Sequence, residues 1–148
     1  MRFVPSFFLV TLAACASLDE SAPYPAAQDV VDEVAERHPN LTRLTLHAVP
    51  ADGTECTQIA STMPERRGKP SDPEDLEALR TGEEIVLEEP GAIDVTVPIL
   101  VQDGRPSAIA GITLRAHETS DREGIVSRAR SSAEELETEI RAAGRPLW

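Results

Sequence analysis

The sequence predicts an α+β domain: a five-stranded antiparallel sheet with an N-terminal helix, a helical excursion between the second and third strands, and a long C-terminal helix. Three observations predict it. Ile93, Val95, Val97, Ile99 and Val101 alternate with Asp94, Thr96, Pro98 and Leu100, the period of two that belongs to a strand with one buried face. Asp52-Gly53 and Asp103-Gly104 each fall between two strand-like runs, where an Asp-Gly pair favours a hairpin. Apolar residues at helical spacing bracket the strands at both ends, around Ala26 to Arg37 and Val126 to Ala143. Helices segregated around an antiparallel sheet make an α+β fold.

The first helix is predicted over Ala26 to Arg37, where Ala27, Val30, Val31, Val34 and Ala35 share a face and Pro39 ends the run. A strand follows from Leu41 to Val49, with Leu44, Leu46 and Ala48 on one face and Thr45 and His47 on the other. The second strand covers Glu55 to Thr62. Met63 to Lys69 reads as a loop, because it holds Pro64 and two arginines. The helical excursion opens with Asp72 as cap, Pro73 at the first helical position and Asp75 three residues after the cap, and it stops at Gly82. Glu84 to Glu88 is the third strand, Ile93 to Val101 the fourth and Ser107 to Leu114 the fifth.

The last helix opens at Ser120 and Glu123, a capping-box spacing. Val126, Ala129, Ala133, Leu136, Ile140 and Ala143 then recur at steps of three and four. That seam packs either along its own sheet or against a second chain in a coiled coil.

The chain has 148 residues, 14 basic and 26 acidic, for a net charge of -12. Such a balance excludes a nucleic-acid partner, because phosphate contacts need a basic face. Two cysteines exclude a disulfide-stapled miniprotein. An apolar fraction of 41% is too high for a disordered acidic tail.

At the N-terminus Arg2 precedes the apolar run Phe3 to Leu12, which closes in Ala13-Ala14-Cys15. That is the plan of a secretory signal peptide, and it is too short to span a bilayer. Leu12-Ala13-Ala14-Cys15 is similar to a bacterial lipobox, which implies cleavage before Cys15 and acylation of its thiol. Residues 1–14 are then the signal peptide, 15–25 a lipidated tether, and 26–148 a single domain. The expected location is the cell envelope, lipid-anchored, and the outer membrane if the source is a diderm bacterium, since Ala16 rather than Asp follows the cysteine. Two other readings stay open: Ala14-Cys15-Ala16 as an ordinary cleavage site, and the run as a buried helix. Cys56, in a strand-like stretch with no basic neighbour, is expected to be buried and inert.

Two strands, a helical excursion and a three-stranded meander resemble the PAS-like sensor fold, and the preceding helix makes the chain similar to its Cache variety. The stretch Asp94 to Arg105, an apolar strand with Pro98 and the Asp103-Gly104 turn, followed by Ile109-Ala110-Gly111-Ile112, carries the resemblance. It implies a five-stranded curved sheet with a concavity for a small ligand. The aromatic and arginine motif that grips amino acids in many Cache domains is missing.

Little chemistry is written in the sequence. His38, His47 and His117 stand apart, without the spacing of a metal site. Ser61 lies outside any nucleophile elbow. No catalytic, cofactor or metal site is expected. The ligand-binding candidates are His47, Asp94 and Thr96, which the strand alternation allows on one face, although a strand histidine is more often turned to solvent. Asp72, Glu74 and Asp75 are explained by the positive end of a helix. Glu83, Glu84, Glu88 and Glu89 blunt a strand edge. Arg130 with Glu134, and Glu137 with Arg141, read as pairs on a solvated helix face, each worth about 0.3 kcal/mol. The expected function is an exported, lipid-anchored, non-catalytic domain binding a small ligand. The alternative is an envelope adaptor or homodimer that uses its C-terminal helix to dock a protein partner.

Overall fold

The computed structural model describes residues 22–100, 107–117, 121–144 and 147–148. Chain order is α1 (Pro25–Arg37), β1 (Leu41–Ala48), β2 (Thr57–Ser61), a 3₁₀ turn (Pro64–Arg66), α2 (Pro73–Thr81), β3 (Ile85–Glu89), β4 (Ala92–Ile99), β5 (Ala108–Arg115) and α3 (Arg122–Ala142). The strands form one sheet in the order β2-β1-β5-β4-β3, and every neighbouring pair is antiparallel. The expected fold class is therefore observed, with element ends moved by one or two residues. Cys15, the Asp103-Gly104 turn and Ser120 lie outside the described residues. Asp121 occupies the cap position of α3.

The sheet has two unlike faces. Leu44, Leu46 and Ala48 of β1, Ala108, Ala110, Ile112 and Leu114 of β5, and Ile93, Val95 and Ile99 of β4 point to one side. There they form the core with Ala27, Val31 and Val34 of α1 and Ile125, Val126, Ala129, Ala133, Leu136 and Ile140 of α3. Removing that apolar area from water is the main force holding the fold together. Ala22 and Tyr24, expected within the tether, also lie against the domain: Ala22 is buried and Tyr24 packs on the core.

The helical seam of α3 is thus consumed inside its own chain. Val126, Ala129, Ala133, Leu136 and Ile140 are all buried against the sheet and α1, which corrects the coiled-coil reading and leaves that face nothing to offer a partner. Arg130 departs from expectation too. Its guanidinium donates to Glu84 at 2.8 Å rather than to Glu134, and Arg122 reaches Glu88 at 2.7 Å, so the acidic residues of the β3 edge tie it to α3. Glu137 and Arg141 do pair, at 2.8 Å.

The other edge, β2, is bridged by backbone from Gly68 to Pro70 at its start and capped by a buried side chain at its end. Gln28 of α1 accepts the Ser61 N–H at 3.0 Å and donates to the Ser61 carbonyl at 3.1 Å, imitating a sixth strand at that one position.

Candidate functional site

The second sheet face is buried yet polar. Strand alternation turns Arg43, Thr45 and His47 of β1, Ile109, Gly111 and Thr113 of β5, and Asp94, Thr96 and Pro98 of β4 to this side. Register then sets them in rows. Arg43 pairs with Thr113, which pairs with Asp94, while Thr45 pairs with Gly111, which pairs with Thr96. The cover is α2 and the chain before it. Of the nine residues of α2 only Asp75 and Ala78 are buried.

Asp75 joins cover to sheet. Its Oδ2 lies 3.2 Å from His47 Nδ1 and accepts the Asp72 N–H at 3.0 Å, and its Oδ1 lies 3.5 Å from Thr96 Oγ1. His47 Nδ1 also lies 3.0 Å from Ser71 Oγ, which donates to Cys56 Sγ at 3.2 Å. One row away, Asp94 accepts from Arg43 at 3.0 Å and from Thr113 Oγ1 at 2.7 Å.

His47 is 3% exposed, so the expectation of a solvent-facing histidine is corrected. The helix α2 covers it, and no local sequence signal tells which sheet face a distant helix will cover. Burial disfavours the charged imidazolium and pulls the pKa of His47 down to about 3, against the attraction of Asp72 and helped by Arg66 and Arg43. At neutral pH the contact with Asp75 is therefore a hydrogen bond rather than an ion pair. Burial pushes the Asp75 carboxyl up to about 6, with the Asp72 backbone bond opposing it and Glu74, Asp72 and Asp94 adding to it. Cys56 is buried as expected, and desolvation raises its thiol despite the Ser71 bond.

The serine, histidine and aspartate do not form a nucleophilic relay. In a working triad the base presents one nitrogen to the nucleophile and the other to the carboxylate. Here Ser71 and Asp75 share Nδ1. A base held near pKa 3 is also a poor proton acceptor at neutral pH.

Arg43, Thr45, His47, Arg66, Asp72, Glu74, Asp75, Asp94 and Gly111 enclose a small chamber, with about 10 Å³ open to the centre of a water-sized sphere. That is room for about one water. A wider cleft of about 420 Å³ opens elsewhere, at Pro39 to Thr42 and Leu114, Arg115 and Arg128, but among its lining residues only Leu114 is buried. Among the described residues no three His, Cys, Asp or Glu side chains converge on a point that could hold a metal.

Two of the sequence candidates, His47 and Thr96, meet through Asp75, while Asp94 lies in the neighbouring row and lines the same chamber. Sequence reasoning missed Asp75, Arg43, Arg66, Ser71 and Gly111. For Arg43 a signal existed, since it is two and four residues before Thr45 and His47 and so shares their face. For Asp75 the helix-terminus explanation was sufficient by itself and concealed its burial.

Neither a protein-family model nor a curated protein matches the chain. Solved structures do resemble it. A GAF domain/HD domain protein from Geobacter sulfurreducens superposes with a TM-score of 0.54 at 10% identity, covering 85% of this chain and 96% of that one. An IclR transcriptional regulator from Alicyclobacillus acidocaldarius gives 0.53 at 17% identity, covering 86% and 69%. The chain thus shares the α+β fold of these structures, the class of architecture expected from the order of elements.

Proposed function

We propose that this chain is an exported, lipid-anchored, non-catalytic domain that binds a small ligand in the chamber between its sheet and α2. The observation that carries the reading is the second sheet face, where polar and charged side chains line a small chamber and are buried under a nine-residue helix. A face meant only for stability would be apolar, as its opposite is. Buried polar groups are costly unless satisfied, and their concentration in a concavity is the ordinary mark of a binding site. The transcriptional regulator that shares the fold supports the reading. The contested Nδ1 of His47 supports a role without catalysis.

As it stands the chamber admits about one water, so anything larger enters as α2 shifts outward. Few buried side chains hold α2 in place, which makes such a shift inexpensive. The address rests on Leu12-Ala13-Ala14-Cys15.

The test is a ¹⁵N-labelled full chain screened by amide NMR against a library of small charged and neutral fragments. Hits should move the amides of Thr45, His47, Asp75, Thr96 and Gly111 together. A library whose hits all map elsewhere, or that yields none, would overturn the reading.

A further inference from the structure

With 26 acidic residues against 14 basic ones, most arginines of this chain have a carboxylate within reach. Two do not. Arg115, at the end of β5, and Arg128, in the second turn of α3, make no hydrogen bond or ion pair among the described residues. Every other described arginine is engaged, with a carboxylate or, for Arg67, with the Ser61 carbonyl. The two left over line the same cleft, the one of about 420 Å³ beside Pro39 to Thr42, and no acidic side chain lines it with them. Asp121 shares the open side of Gly124 with Arg128, but the two form no ion pair. A concavity holding two cations and no anion is a local positive field in a chain of net charge -12.

The backbone shapes the cleft. Leu41 pairs with Leu114 and Arg43 with Thr113, so Thr42 is an extra residue in β1, a bulge. Its hydroxyl donates to the Thr113 carbonyl at 3.0 Å and holds the bulge against β5. A bulge bends its strand and re-aims the neighbouring side chains. The half-buried Leu41 and Pro39 add an apolar wall, and the exposed Asn40 adds an amide donor. The volume falls in the ordinary range of small-molecule sites. None of the cleft residues lines the chamber under α2, so the two are separate places on the molecule.

We propose that this cleft binds a small organic oxyanion, a carboxylate or phosphate on a short apolar body, through the guanidinium groups of Arg115 and Arg128. A guanidinium donates a fork of N–H bonds that fits either oxyanion, and a bond between charged partners is about twice as strong as a neutral one. The apolar body lies along Leu41 and Pro39. Both arginines are exposed and have no partner to abandon, so binding breaks no contact of the fold.

The experiment titrates the ¹⁵N-labelled full chain at pH 7 with sodium butyrate, with sodium butyl phosphate and with butylammonium chloride, the ionic strength held constant with sodium chloride. At least one of the two anions should shift the amides of Asn40, Leu41, Thr42 and Arg115 saturably, and butylammonium should not. Whichever anion binds more tightly identifies the head group. Arg115→Gln and Arg128→Gln should each weaken binding about tenfold, and folding should survive because neither side chain is buried or paired. Arg122→Gln removes the same charge from α3 outside the cleft and should leave binding unchanged. Equal weakening by Arg122→Gln would reduce the effect to general charge attraction and overturn the site. Binding by butylammonium, non-saturable shifts, or shifts confined to His47, Asp75 and Gly111 would overturn it as well. Because the readout residues differ from those of the chamber, either proposal can fail without the other.

Discussion

His47 Nδ1 lies 3.2 Å from Asp75 Oδ2, and this contact fastens a short surface helix to the middle of the sheet. Both residues are buried and both resist charging, but in opposite protonation states. Burial lowers His47 from 6.5 to about 3 and raises Asp75 from 3.8 to about 6.

The pair sets an acid response that one substitution can expose. Between about pH 3 and 6.5 the unfolded chain protonates His47 while the folded one does not, so this residue makes stability fall as pH falls. Between about pH 3.8 and 6 the folded chain keeps the Asp75 proton that the unfolded chain has lost, so Asp75 makes stability rise as pH falls. The two partly cancel. Asp75→Asn removes the second effect, and its loss of stability between pH 7 and pH 4.5 should exceed that of the wild type. Urea denaturation at the two pH values checks this, and an equal or smaller loss refutes it.

Asp94 is the anchor of the other polar row. Asp94→Ala leaves Arg43 and Thr113 without their acceptor at side chains that are 18% exposed or less, and should cost about 3 kcal/mol. Asp94→Asn retains an acceptor for Thr113 and should lose less. The denaturation midpoints of the two variants give the comparison.

Leu136 distinguishes a core helix from an oligomerisation seam. It is fully buried among the sheet and α1, so Leu136→Ala should destabilise the chain by about 2–5 kcal/mol. Sedimentation velocity should show the same oligomeric state before and after the change. A shift in that state would mean the helix also serves another chain.

The helix α2 should open before the rest of the fold. It buries two side chains, whereas α3 buries seven. Native-state hydrogen exchange should therefore run at least about tenfold faster at Leu79 and Arg80 than at Leu136 and Ile140. Equal protection would show that α2 does not move independently, and the route into the chamber would have to lie elsewhere.

The anchor has its own test. Cys15→Ser removes the only thiol that the lipobox-like sequence offers for acylation. The expected outcome is transfer of the protein from the membrane fraction to the soluble one. A variant that stays with membranes refutes lipidation at this residue.

The strands and helices were legible in the chain because each is a local pattern. Period-two alternation placed β4, the Asp103-Gly104 turn placed β5 after it, helical spacing placed α1 and α3, and Asp72-Pro73 marked the start of α2. Even the split between Leu44 or Leu46 and His47 follows from which way successive side chains point. What stayed hidden depends on distant partners. Whether His47 meets water or Asp75 is decided by a helix that starts 26 residues later, and Arg43 finds Asp94 across β5 only through strand register. The seam of α3 would look the same facing its own sheet or a second chain, because apolar spacing records that a face is buried and not what buries it. Sequence alone therefore determined the elements and their polarity. Tertiary structure alone decided that the polar face is covered, since covering it is a long-range packing event with no signature in either segment.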